Sequence, residues 1–240
     1  MKAEYITHMG DDLMVVNAAR VSFDKQSEWV YGEEMLYSDS DQDCIVPYRR
    51  LSGKDQKLVQ YLARNGHWTP FSHPQIQFRI AVPFFVANQL KRHVVGLSVN
   101  EVSRRYVDDT PEFYVPEYWR QRPEGSVKQG SSNEEVEVSA GIHDAYCRFL
   151  DAAKNLYNEM LDRGTAPEMA RMVLPQSTYT SWIWTGSLMA FLRIYQQRSH
   201  PHAQREVKII ADQIGETLKT YFPYSFEAWS PSEGESENGA

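Results

Sequence analysis

From Gln75 to Val82 the chain alternates, with Ile76, Phe78, Ile80 and Val82 on one side and Gln75, Gln77 and Arg79 on the other. A period of two sends successive side chains to opposite faces of an extended strand, so this segment reads as a half-buried strand whose apolar face must be covered. Pro83 follows directly and suits the first turn of a helix running to about His93. Any fold for this chain therefore has to pack helices against a sheet.

Helical spacing supplies the cover. Residues 140–163 give the clearest pattern, with Ile142, Tyr146, Phe149, Ala153, Leu156 and Met160 stepping by four and three until Gly164. A helix over 203–222 carries Val207, Ile210, Ile214, Leu218 and Tyr221 or Phe222, and another lies near 187–198. Residues 11–22 read as a short helix that Asp11 or Asp12 caps, with Leu13, Val16 and Ala19 or Arg20 in register. Residues 54–65 place Leu58, Tyr61 and Leu62 on one side and stop at Gly66. A short helix opened by Pro167 and closed before Pro175 carries Arg171. Tyr179–Thr185, aromatic and β-branched, reads as a second strand. Residues 24–52 and 120–138 are polar and read as loops, and residues 229–240 read as an acidic, solvated tail. No internal repeat or long Pro/Gly linker divides the rest. Residues 1–228 are expected to form one α+β domain, and 42% hydrophobic content in 240 residues suffices for its core.

Charge and cysteine usage narrow the function classes. A net charge of −7 argues against a nucleic-acid coat, whose affinity comes from many phosphate contacts. No apolar run reaches 18 residues, and MKAEYITHMGDDLM lacks the apolar core of a signal peptide, so a soluble, cytoplasmic protein without membrane partners is expected. Cys44 and Cys147 lie far apart and form no zinc spacing. His200 and His202 flank Pro201 with no carboxylate at ligand spacing, so no metal site is expected. There is no GxGxxG, and Gly125–Ser131 has Walker-like glycines with Ser131 where a phosphate-gripping Lys belongs. A Rossmann unit is therefore not expected. The Trp182/Trp184 pair reads as core before it reads as a ligand stacker.

Cations are nevertheless concentrated in one place. Between Gln89 and Tyr106 stand Lys91, Arg92, Arg104 and Arg105 against Glu101 alone. On a helix running to His93, Gln89, Arg92 and His93 would share one face. Asn100, Glu101, Ser103, Arg104 and Arg105 follow within six residues. Planar cations, a hydroxyl and one carboxylate suit a phosphorylated ligand with sugar hydroxyls, and the same residues also fit a solvated charged loop.

Arg92-His93 followed by Asn100-Glu101-Val102-Ser103-Arg104-Arg105-Tyr106 resembles the signature of the flavin-dependent thymidylate synthases, an Arg-His-Arg, seven residues and a Ser. Ala18–Phe23, His67-Trp-Thr-Pro-Phe71, Ala170–Pro175, Trp184-Thr185 and Arg198-Ser-His-Pro-His-Ala-Gln204 resemble further blocks of that family in order, so the likeness spans about residues 10–228. Departures are Val94 for the third motif residue, one extra residue before Ser103 (absorbed near Gly96), Ser72 after Thr-Pro-Phe, and Ser187 and Met189 in the flavin-facing helix.

The resemblance implies a central, largely antiparallel sheet flanked by helices and the reductive methylation of dUMP to dTMP. It implies FAD, methylenetetrahydrofolate as one-carbon donor, NADPH or another reduced nicotinamide, and a homotetramer. On the matching positions, Gln89, Arg92, Glu101, Val102, Ser103, Arg104, Arg105, Arg171 and Arg198 would bind dUMP. Arg198 would also act catalytically, against negative charge developing on the uracil. His67, Thr69, Arg92, His93, Glu101, Ser187 and Arg193 would line the FAD. No protein nucleophile is required, and Cys147 falls on the long helix between positions Tyr146 and Phe149, both expected to face the core. A non-catalytic nucleotide- or nucleic-acid-binding module, disfavoured by the charge, and another flavoenzyme on the same fold are the competing readings.

Overall fold

A computed structural model describes residues 1–36, 44–123, 131–132 and 134–230, with backbone alone for 34–36 and 44–47. The strand at the alternating segment, β4 (Gln75–Pro83), lies inside a four-stranded sheet. Its neighbours are β1 (Lys2–Met9) on one side and β6 (Tyr179–Ser187) on the other, and β5 (Leu97–Glu101) forms the outer edge beyond β6. All three pairings are antiparallel. Register aligns the inward faces: Ile76 opposes Gly186, Phe78 opposes Trp184, Ile80 opposes Trp182, and Val82 opposes Thr180. Cross-strand aromatic and β-branched pairs of this kind stabilise a sheet, and both Trp rings are buried, as a core reading requires.

The covering helices follow their apolar stripes. α6 (Leu188–Arg198) lays Phe191 against Phe78 at 4.9 Å and against Trp184 at 5.5 Å, both edge-on. α7 (Arg205–Tyr221) buries Val207, Ile210, Ile214 and Leu218 completely, as its spacing requires. α1 (Asp12–Arg20) is capped by Asp11, which accepts from the Leu13 and Met14 amides. α2 (Gly53–Arg64) is capped by Ser52 and buries Val59 and Leu62, whereas Tyr61, expected inward, is 57% exposed. Among the described residues no helix is long and apolar enough to cross a membrane.

Two buried carboxylates tie the helices together with opposite titration behaviour. Burial alone would raise the Asp55 carboxyl, but hydrogen bonds from Ser52, Arg20 and Ser27 hold it below its usual range. Asp55 thus stabilises the fold above the ordinary carboxylate range and loses that effect as pH falls through its depressed pKa. Asp12 caps a further helix, α8 (Pro223–Trp229), by accepting from the Tyr224 and Ser225 amides at 3.0 Å and 2.9 Å. Burial outweighs those bonds and pushes Asp12 up to about 6, so its ionisation opposes the fold as pH rises towards that value.

Several sequence expectations need correction. Residues 24–52 are not a plain loop: β2 (Val30–Leu36) and β3 (Cys44–Arg50) pair as a separate antiparallel hairpin. β1, β5 and α8 carried no expectation, and α8 runs one residue into the stretch read as tail; residues 231–240 lie outside the described residues. The 120–138 segment is irregular where described, with an isolated bridge between Arg120 and Glu135, while most of the Walker-like Gly125–Ser131 run lies outside the described residues. The longest helix, α4 (Ser139–Asp162), sits where its period puts it, but its inward side is Leu150, Ala153 and Tyr157. Ile142, Phe149 and Leu156, all in the expected stripe, are exposed by 38%, 53% and 47%. Periodicity located the helix, but Ile142, Phe149 and Leu156 of the expected stripe point away from this chain's core while Ala153 is buried.

Candidate active site

The site gathers where β6 hands over to α6 and where the turn after α3 (Phe84–Leu90) crosses it. Ser187 ends the strand and caps α6 by accepting from the Ala190 amide at 3.2 Å. α6 then carries Arg193 on its flank and ends on Arg198, where a cation complements the helix dipole.

α3 is shorter than the sequence suggested. It stops at Leu90 with Lys91 as C-cap, and the Arg92 and His93 amides close tight turns onto Gln89 and Leu90. The expected shared helix face of Gln89, Arg92 and His93 is therefore wrong, because the last two lie in the turn beyond the helix. Gly96, at φ 73°, ends that turn in the left-handed region where a side chain is strained. A Cβ there would also stand 3.0 Å from Ser187 Oγ.

That turn brings His93 to Arg198. Arg198 Nε donates to His93 Nε2 at 3.0 Å. Half-burial, and then the Arg198 charge, hold His93 below its usual range, so the ring is neutral near pH 7. A neutral ring accepting at Nε2 keeps its proton on Nδ1. The contact fixes the plane of the guanidinium and leaves its remaining N–H groups for a ligand.

Arg198 and Gln89 line one polar cavity of about 620 Å³, together with Arg120, Gln204, His200 and His202. A second, smaller cleft of about 260 Å³ lies beside the amino end of α6, walled by Trp68, Gln75, Gly96, Ser187, Met189 and Arg193. The Arg193 guanidinium sits 5.5 Å from the Trp68 ring centroid. Trp68 is 47% exposed, and His67 and Thr69 flank it in sequence, His67 with its ring 6.0 Å from that of Tyr61. The turn through His93, Val95 and Gly96 lines the smaller cleft with Val95 and Gly96 and reaches the wall of the larger cavity through the His93–Arg198 bond.

The remaining sequence-derived candidates are not brought into the Arg198 cavity. Glu101 is held by Lys91 at 2.7 Å and by the Thr180 hydroxyl at 2.8 Å. Arg105 Nε donates to Ser103 Oγ at 3.3 Å, and Arg104 pairs with Asp109 at 3.3 Å. Arg171 donates to the Glu168 carbonyl from a 3-10 turn rather than from a helix. Arg92, Val102, Arg105 and Arg171 are exposed. Sequence reasoning assigned no role to Arg120, Gln204, Trp68 or Gln75. Gln204 and Trp68 stand inside quoted blocks, which was the available signal, whereas Arg120 sits in a segment without period.

Cys147, half-buried on α4, lines a different cavity with Phe113, Asp151 and Tyr179. The side chain of Cys44 lies outside the described residues. Among the described residues no three His, Cys, Asp or Glu side chains cluster at metal-binding distance.

Comparison with known proteins follows the same lines. Residues 4–224 match the family model described as thymidylate synthase complementing protein. The flavin-dependent thymidylate synthase of Thermosipho africanus is 33% identical over 92% of this chain and 87% of its own length. That of Kosmotoga olearia is 34% identical over 92% and 86%. Crystal structures of a UMP/dUMP methylase, PolB from Streptomyces cacaoi, superpose on 95% of the chain. The complex with 5-Br dUMP gives a TM-score of 0.73 at 29% identity and covers 94% of that chain. The complex with 5-Br UMP gives 0.76 at 28% and covers 92%.

Proposed function

The chain belongs to the flavin-dependent thymidylate synthase family, and from that premise we propose that it methylates dUMP to dTMP. The reading includes FAD as cofactor, methylenetetrahydrofolate as one-carbon donor and NADPH as reductant. The observation that carries it is the pairing of Arg198 with a neutral His93 on the wall of the polar cavity, one turn away from the Trp68/Arg193 cleft.

In this reading the 620 Å³ cavity takes the nucleotide. Arg198 faces the uracil and offers N–H groups to oxygens that gain charge as C5 is made nucleophilic towards the one-carbon unit, and His93 holds it in place. Residues Glu101 to Arg105, with Arg92 and Arg171, grip phosphate and sugar. The smaller cleft fits part of a flavin: an open indole for planar rings, a guanidinium, and the backbone N–H groups at the start of α6. His67, Thr69, Ser187 and Arg193 belong to this side. FAD, when bound, supplies the redox chemistry that turns the transferred methylene into a methyl group.

At 260 Å³ the cleft is below the range of about 300–1,000 Å³ that encloses drug-sized ligands, and FAD is larger still. Arg92, Arg105 and Arg171 also stand outside the Arg198 cavity of their own chain. Both facts favour sites completed between copies, hence a homo-oligomer, which we read as a tetramer in the cytoplasm. The likeness to a UMP/dUMP methylase supports UMP as a second candidate substrate.

Flavin binding gives the first test. The purified protein is expected to be yellow, or to quench added FAD in a fluorescence titration, with Arg193→Ala weakening the binding. A colourless protein that leaves FAD fluorescence unchanged contradicts the reading.

A further inference from the structure

One wall of the Arg198 cavity carries a series of side chains whose hydrogen bonds have only one workable direction. It begins at Glu206, in the first turn of α7 and 4% exposed. Arg120 donates to the two carboxylate oxygens at 2.8 Å and 3.0 Å, and the Tyr114 hydroxyl donates at 3.4 Å. Burial alone would raise this carboxyl, yet the bonds from Arg120 and Gln204 hold it below its usual range. Glu206 is thus a carboxylate, able only to accept. The Gln204 atom 3.0 Å from it must then be the amide nitrogen, Nε2. That turns Gln204 Oε1 towards Gln89, which donates its own Nε2 to it. Gln89 is left with Oε1 as its free group, and Gln89 lines the same cavity as Arg198.

We propose that Glu206 and Gln204 are positioning residues that fix the polarity of the Gln89 amide, so that its oxygen accepts a hydrogen bond from the bound nucleotide. This rests on the nucleotide reading of the cavity. Arg198 can only donate, so the wall presents both polarities within one space. A deoxyuridine nucleotide has two donors for Gln89 Oε1, the uracil N3–H and the 3′-hydroxyl. Without the Glu206 carboxylate the two amides are free to turn over together, and the reversed pair points an N–H at a donor. Arg120 takes part only by keeping Glu206 ionised. Residues 120–138, which had no role, thereby supply Arg120 to hold the start of the relay.

The test uses the FAD-loaded protein and three probes: dUMP, its N3-methyl analogue and its 3′-deoxy analogue. Glu206→Gln keeps the volume and removes the polarity. Gln204→Met interrupts the relay while leaving the Arg120–Glu206 pair intact, and serves if the first variant fails to fold. Both are expected to raise the dUMP dissociation constant about tenfold, as loss of one hydrogen bond would. Turnover at saturating dUMP should stay near wild type, separating KM from kcat. One analogue, the one missing the donor that Gln89 reads, should bind all three proteins alike and so identify the source. Variants that bind dUMP as wild type does overturn the relay, as do variants that lose dUMP and both analogues by the same factor. A wild-type protein that binds no dUMP overturns the nucleotide reading itself, and this inference with it.

Discussion

Replacing Arg198 by Ala is expected to slow the chemical step about 10²–10³-fold, or ~2.7–4 kcal/mol, the effect of removing a preorganised donor from a developing anion. The side chain ends α6, its Nε is occupied by His93, and its other N–H groups are available at the wall of the 620 Å³ polar cavity. A group held this way makes its strongest contact when charge appears, so the loss falls on turnover more than on binding. Arg198→Lys should recover only part of the rate, because a point charge has no planar fork. Arg105→Ala should behave differently and mainly raise the dUMP requirement, because a phosphate contact is shared by ground and transition states. Flavin reduction by the nicotinamide should survive in the Arg198 variant, since that half-reaction needs no charge on uracil. Single-turnover kinetics at saturating dUMP separate these cases. Wild-type turnover in Arg198→Ala contradicts the electrostatic role.

The second large effect is expected on assembly. Ile142, Ala145, Phe149, Ala152 and Leu156 recur at spacings of three and four along α4, and all five are exposed. Val138, 65% exposed, extends the stripe at its amino end. About a two-fold axis through Phe149, antiparallel α4 helices of two copies would set Ile142 against Leu156 and the two small Ala positions against each other. Small residues there let two backbones approach, which suits an isologous contact. Phe149→Glu combined with Leu156→Glu puts unpaired carboxylates into that contact, at a cost of several kcal/mol each. The double variant should therefore dissociate to a smaller species in light scattering and, on the proposal that sites are completed between copies, lose most dUMP methylation. Its circular dichroism should stay that of the parent, since the residues that α4 buries in its own chain are Leu150, Ala153 and Tyr157, while Phe149 and Leu156 are 53% and 47% exposed. A double variant of parental mass and activity removes this face from the assembly.

Legibility in the sequence tracked burial. β4, β6 and α7 each carry one wholly buried face, and burial is what imposes a period on residue choice. β1 and β5 are edge strands with mostly exposed side chains, such as Glu4, Ile6 and Ser98, so no alternation marked them. The β2–β3 hairpin pairs only with itself and includes Gly32 and Pro47, residues that a central strand avoids. α4 shows the opposite error. Its stripe was plain, but period alone says that a face is apolar, not whether it meets its own core or another copy. Around the cavity, Arg198, Gln89 and His93 were singled out through motifs, but the turn that joins His93 to Arg198 was not, because a helix was extended three residues too far. Gln204, Glu206 and Arg120 were missed for a related reason. The Arg120–Glu206 contact spans 86 residues and the Gln89–Gln204 contact 115, and no local pattern connects them.

The most direct measurement is product formation with one component withheld at a time. Purified protein, first stripped of any bound flavin, is incubated with dUMP, FAD, methylenetetrahydrofolate and NADPH, and the nucleotide is read by mass spectrometry, with UMP in a parallel reaction. The expected result is dTMP that disappears when the folate, the flavin or the nicotinamide is left out. No methylated nucleotide in the complete mixture, or dTMP that forms equally well without flavin, contradicts it.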